Sequence, residues 1–177
     1  MDISNEGRDL LRELREKVDE TVHCAVLDGA EIMYVFNLEG TQAIRMRADI
    51  GVRKPAYCTA EGQVLLAFQS PEIVERVLAR GLPARTPQTV TDPEALKKVL
   101  EGIRARGYAI EDEESEIGMR CIAAPLLNDA GEVVAAVGVA GPVTRLSKKA
   151  LSGYLPHVME TAAAISARLG HRGKATI

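Results

Sequence analysis

A chain of 177 residues, 46 % hydrophobic and 27 % charged, suits one globular domain whose core needs neither disulfide staples nor metal. Its 22 basic and 25 acidic residues leave a net charge of −3, and no Lys/Arg-rich run supplies the phosphate-neutralising footprint of a nucleic-acid binder. No apolar run approaches the roughly 20 residues that span a bilayer, no signal-peptide core opens the chain, and three scattered cysteines, Cys24, Cys58 and Cys121, fit reduced thiols in a cytoplasm.

The first predicted element is a helix, with Leu10, Leu11, Leu14 and Val18 on one face and Arg12, Glu13, Arg15 and Glu16 on the other. The run Thr21-Val22-His23-Cys24-Ala25-Val26-Leu27 reads as a strand, Asp28-Gly29 as a hairpin turn, and Ile32-Met33-Tyr34-Val35-Phe36 as the return strand. Apolar and basic residues alternate through Ile44-Arg45-Met46-Arg47-Ala48, which predicts a further half-buried strand.

The middle is predicted helical. Thr59 is placed to cap a short helix carrying Val64, Leu65, Leu66 and Phe68. Ser70-Pro71-Glu72 and Asp92-Pro93-Glu94 open two more, each with a capping side chain, Pro at the first helical position and an acid in the first turn. Gly81 and Gly107 are their stops. Strands resume at Tyr108-Ala109-Ile110, at 121–127, where Pro125 argues for an edge or bulge, and at 133–139, apolar on both faces and so central. A last helix carries Leu151, Leu155, Val158, Ala162, Ile165 and Leu169. Pro156 inside it predicts a kink or the true start, and the tail at 171–177 reads as loose. This order, with no repeat or linker, predicts a single α+β domain over 1–177, its antiparallel sheet flanked by helices.

Several stretches resemble one family in order and spacing: Glu20-Thr21-Val22-His23 with Leu27-Asp28-Gly29, Cys58-Thr59-Ala60-Glu61-Gly62-Gln63, 106–114, Gly118-Met119-Arg120-Cys121-Ile122-Ala123-Ala124-Pro125, and Ala140-Gly141-Pro142. Together they look like the effector-binding domain of IclR-family transcriptional regulators, over nearly the whole chain. The resemblance implies a GAF-like fold, a pocket for a small organic effector, and assembly into homodimers or homotetramers. It also implies DNA contact only through a separate winged helix-turn-helix, which these 177 residues do not contain.

The resemblance places Met46, Glu111, Met119, Cys121, Gly138 and Ala140 at the pocket, with the turn Ala60-Glu61-Gly62 at a helix start suited to an effector carboxylate. Relatives place serines where this chain has Gly138 and Ala140, which predicts a larger, more apolar pocket for an aromatic or longer-chain acid. Gln63-Val64 stands in place of the family's usual Lys-Ala. The rest of the acidic run through Glu116 reads as a solvated face. His23, Cys24, Cys58 and Cys121 lack the close spacing of a zinc site, so neither metal nor cofactor is expected. Two other functions stay open: a GAF-type thiol enzyme using Cys121 or Cys58, and a ligand-free dimerisation module. No histidine pairs locally with a Cys or Ser, so the expectation is a sensor and not an enzyme.

Overall fold

A computed structural model describes residues 2–173. Its elements run α1 (Ile3–Val18), β1 (Thr21–Asp28), β2 (Glu31–Leu38), β3 (Arg53–Pro55), α2 (Ala60–Ala67), α3 (Pro71–Ala79), α4 (Pro93–Arg106), β4 (Ala109–Asp112), β5 (Met119–Leu127), β6 (Val133–Pro142) and α5 (Lys148–Arg168). The six strands form one antiparallel sheet in the order β3-β2-β1-β6-β5-β4. β6 lies between β1 and β5, which accounts for a strand apolar on both faces.

Helices cover both faces of the sheet. On one, Leu11, Leu14 and Val18 of α1 and Leu151, Val158 and Ile165 of α5 pack with Val22, Cys24, Ile122, Val137 and Val139. On the other, α2 packs over Ala25, Tyr34, Cys121, Ala123, Ala136 and Ala140, and α4 packs against α2. Small residues dominate that second face, so α2 lies close against the sheet, and all eight of its residues are buried.

Most predicted caps are present. The Thr59 hydroxyl accepts from Gly62 N, and Asp92 accepts from Ala95 N at 2.8 Å. Gly107 closes α4 in the left-handed conformation. Ser70 makes no side-chain cap; its carbonyl starts α3 instead.

Two local expectations need correcting. Ile44-Arg45-Met46-Arg47-Ala48 forms no strand, and β3 comes later. Side chains hold the segment in place: Thr21 Oγ1 donates to Met46 O at 2.6 Å, and the Arg145 guanidinium binds Ile44 O. Pro156 does not start the last helix; α5 begins at Lys148, capped by Ser147, and Pro156 lies inside it. Of the expected loose tail, 174–177 lies outside the described residues, while His171 N–H donates to Ser166 O at 2.9 Å.

Pro125 is consistent with its sequence reading. β4 pairs with β5 only as far as Ala109↔Ala123, so Pro125 faces β6 on one side and no strand on the other.

Candidate functional site

Strand register builds the site before any long-range packing is considered. Thr21 pairs with Ala140, Ala140 with Cys121, and Cys121 with Glu111, giving one row across four strands. One step along, His23 pairs with Gly138 and Gly138 with Ala123. Side chains two residues apart share a sheet face, so both rows point at α2.

A cavity of about 370 Å³, mouth included, opens where these rows meet the start of α2. Met46, Ala60, Glu61, Glu111, Met119, Cys121 and Ala140 border it, with Tyr34, Lys54, Thr59, Ser115, Glu116 and Arg120. Gly62 and Gly138, expected at the pocket, do not border it. A Cβ on Gly62 would overlap the backbone of Ala56, so this glycine lets α2 approach the preceding turn.

Gly138 corrects the idea that small residues enlarge the pocket. A Cβ there would meet Glu61 Oε1 and lie 2.5 Å from His23 Cε1. The room over Gly138 is already filled by a buried pair, with His23 Nδ1 2.7 Å from Glu61 Oε1. The two groups are in close contact, without hydrogen-bond geometry at Nδ1. The cavity is bordered by five ionisable side chains, Lys54, Glu61, Glu111, Glu116 and Arg120, and is more polar than the sequence suggested.

Burial drives the electrostatics. For Glu61, desolvation pushes the pKa up, but the adjacent His23 outweighs it and leaves the carboxyl below its ordinary range. Glu111 is 3 % exposed and accepts from Ser115 N at 2.7 Å. Desolvation, against the pull of that N–H and reinforced by the charges of Glu114 and Glu61, pushes it to about 8. Glu114 is raised by burial too, although Gln63 Nε2 donates to it at 3.0 Å. Gln63 also donates to Tyr57 O, so this departure from the usual motif ties α2 to the acidic turn. Burial raises all three thiols, Cys58 to about 11 and Cys24 and Cys121 further, which opposes a thiolate nucleophile.

The helix start is not an empty anion site. Glu61 places its own carboxylate there, held in part by its backbone N–H. Cations come from elsewhere. Arg120 is committed to Asp112 at 2.6 Å and to Leu146 O. Lys54 has no ion-pair partner among the described residues.

His23 and Lys54 were missed at the sequence level. His23 shows as a lone polar ring within an apolar strand, but its partners are distant in sequence. Lys54, flanked by Arg53 and Pro55, gives no local sign of its neighbours.

A six-stranded antiparallel sheet with helices on both faces and a cavity beneath a fully buried helix is a GAF-like α+β domain. The chain belongs to the IclR family: the family description "Bacterial transcriptional regulator IclR C-terminal" matches residues 1–167. It is 37 % identical over 163 residues to the HTH-type transcriptional regulator KdgR of Escherichia coli, covering 91 % of this chain and 62 % of that protein. The chain therefore spans under two thirds of that relative's length.

The crystal structure of the C-terminal domain of E. coli KdgR superposes with a TM-score of 0.85 at 34 % identity, covering 97 % of this chain and 100 % of that one. An IclR homolog from Microbacterium hydrocarbonoxydans, complexed with 4-hydroxybenzoate, gives 0.85 at 28 % identity, covering 94 % and 68 %. The inducer-binding domain of an Acinetobacter PobR double mutant, complexed with 3-hydroxybenzoic acid, gives 0.85 at 28 % identity, covering 92 % and 96 %.

Proposed function

We propose that this chain is the effector-sensing domain of its regulator, and that the cavity at the start of α2 binds a small hydroxylated organic acid. The observation that carries this reading is the cavity's mixed lining: an unpaired Lys54 together with the carboxyls of Glu111 and Glu61, all facing one space. Lys54 suits the effector's carboxylate. Glu111 and Glu61 suit a group that donates a hydrogen bond, such as a hydroxyl. Met46, Met119 and Ala140 supply adaptable apolar contact for the body between. The hydroxybenzoates bound by two structural neighbours have both features.

On this reading Met46, Ala60, Glu61, Glu111, Met119, Cys121 and Ala140 contact the effector, Lys54 joins them, and Gly62 and Gly138 act by allowing close packing. The role is sensing and not catalysis, as three raised thiols favour. DNA contact belongs to a separate domain, and the regulator works as a homodimer or homotetramer. Self-association does not draw on the inner faces of α1 and α5, since Leu11, Leu14, Leu151, Val158 and Ile165 are buried within one chain.

The test is a thermal-shift screen against hydroxylated and plain organic acids, followed by calorimetry of the best ligand with wild type and Lys54→Ala. A saturable ligand whose affinity falls about tenfold or more in the variant is expected, the scale of one charge-assisted contact. A screen without a saturable ligand, or an unchanged affinity in Lys54→Ala, contradicts the reading.

A further inference from the structure

Two walls of the cavity come from segments outside the sheet. One is the start of α2, with Thr59, Ala60 and Glu61; the other is the turn 113–118 between β4 and β5, which brings Ser115 and Glu116 beside Glu111. Glu113, where that turn begins, has the left-handed backbone conformation, with φ of 57°. A non-glycine residue keeps this conformation only where its surroundings impose it.

What imposes it lies outside the cavity lining. Thr86 and Thr89, on the loop between α3 and α4, are 7 % and 8 % exposed and do not border the cavity. Thr86 Oγ1 donates to Glu113 O at 2.5 Å, and Thr89 Oγ1 donates to Glu114 O at 2.6 Å. The loop's own backbone aims both hydroxyls: Gln88 N–H donates to Thr86 Oγ1, and the N–H groups of Arg85 and Thr86 donate to Thr89 Oγ1, all at 3.0 Å. With N–H groups on the oxygens, each hydroxyl proton is left for the turn. The start of α2 joins the same frame, since Gln63 Nε2 bridges Tyr57 O and Glu114 Oε1, and the Tyr57 hydroxyl donates to Pro83 O.

We propose that Thr86 and Thr89 are positioning residues of the effector site: their hydroxyls lock the 113–118 turn, and the locked turn makes the cavity select acids that carry a hydrogen-bond donor away from their carboxylate. The proposal rests on the effector reading above. Ser115 N–H, one residue past the carbonyl that Thr89 holds, donates to Glu111 Oε1 at 2.7 Å, so the turn fixes the carboxyl that borders the cavity. Lys54 belongs to β3 and Glu111 to β4, the two edge strands of the sheet. The carboxylate end of an effector is therefore held independently of the threonines, and its hydroxyl end through them. A hydrogen-bonding group fixed in place discriminates against a ligand that lacks the hydroxyl, whereas a loose one discriminates little.

The ordinary alternative is that two buried threonines stabilise the fold and nothing more. The two accounts separate on where the damage falls when a hydroxyl is removed.

The experiment compares wild type with Thr89→Val and Thr86→Val, each of which keeps the side-chain shape without the hydroxyl, and with Thr89→Ser, which keeps the hydroxyl. Amide hydrogen exchange is measured first, without ligand. The amides of Ser115 and Gly118 donate to the carboxylates of Glu111 and Glu113. In Thr89→Val they should exchange at least about tenfold faster, while those of Val137 and Val139 in β6 change by less than about threefold, and Thr89→Ser should match wild type. Unchanged exchange at Ser115 and Gly118 in the valine variants, or an equal rise in β6, overturns the clamp. This measurement needs no effector, so failure of the clamp and failure of the effector reading are separate results.

Calorimetry with 4-hydroxybenzoate and benzoate, one acid with and without its hydroxyl, then tests selectivity. Wild type should prefer 4-hydroxybenzoate by at least about tenfold, and Thr89→Val should bring that preference within about threefold while binding benzoate as wild type does. An equal loss for both acids, or a preference retained in both valine variants, overturns the selectivity. A wild type that binds neither acid also removes the selectivity claim, and the exchange result still decides the clamp. Should Thr89→Val fail to fold, Thr86→Val carries both measurements.

Discussion

Replacing Gly138 with alanine tests the packing at the cavity floor. The added methyl would sit against Glu61 Oε1, 2.5 Å from His23 Cε1 and 2.9 Å from His23 Nδ1. These are side-chain atoms, but His23 is 0 % and Glu61 2 % exposed, so neither has free space to move into. Overpacking of this kind costs about 1–3 kcal/mol. Alanine also restricts the unfolded chain, which returns about 0.4–1 kcal/mol. The expected net loss is about 1–2 kcal/mol, a drop in Tm of about 2–8 °C for a domain of this size. Urea unfolding followed by circular dichroism reads it directly. Ala140→Ser, on the cavity wall, is the control and should change stability by less than about 1 kcal/mol, because its hydroxyl meets open space. If Gly138→Ala is as stable as wild type or more so, the His23–Glu61 pair is not fixed in place, and the account of this glycine is wrong.

Other expectations follow from buried polar groups. Folded Glu111 keeps its proton up to about 8, while the unfolded chain releases it near the ordinary 4.5. Wild type should therefore lose stability as pH rises between those values, by up to about 1.4 kcal/mol per unit. Glu111→Gln should flatten that loss in unfolding curves at pH 5, 6.5 and 8, and an unaltered slope would count against burial as the cause. Ser166 Oγ accepts from Leu127 N at 3.0 Å, beside an irregularity between Leu126 and Leu127. Ser166→Ala should cost about 1–3 kcal/mol by orphaning that N–H, and a neutral result in a melt would show that water replaces the hydroxyl. Arg145 grips the buried Glu20 carboxylate at 2.7 and 3.0 Å and also binds Ile44 O. Arg145→Ala should destabilise by about 1–3 kcal/mol, below the full figure for a buried pair because the arginine is partly exposed. It should also speed proteolysis within residues 41–52, and equal cleavage rates in the two proteins would show that the contact does not hold that segment.

What the sequence made legible was local. The stripe on α1, the hairpin at Asp28-Gly29 and the Asp92 cap with its Gly107 stop are set by residues within a few positions of one another, and each formed where expected. The alternation of Ile44, Arg45, Met46 and Arg47 was equally local and misled, because alternation does not by itself pair a segment with a neighbouring strand. Here the segment is held by side chains from β1 and from beyond β6. Gly138 shows the same limit at the site. In a strand, glycine marks either empty space or a close approach, and only the tertiary structure reveals that His23 and Glu61 approach. Ala140 and Cys121 lie side by side through strand register, which periodicity alone cannot supply.

The methionine methyl groups offer the most direct test of the effector site. Met46 and Met119 border the cavity, whereas Met33 on β2 and Met159 on α5 do not. With methyl-labelled methionine, NMR titration with the best organic acid from the screen should move the Met46 and Met119 signals together along one saturable curve and leave Met33 and Met159 in place. An acid that binds the protein but moves only Met33 or Met159, or that leaves all four unmoved at saturation, would contradict the assignment of this cavity as the sensing site.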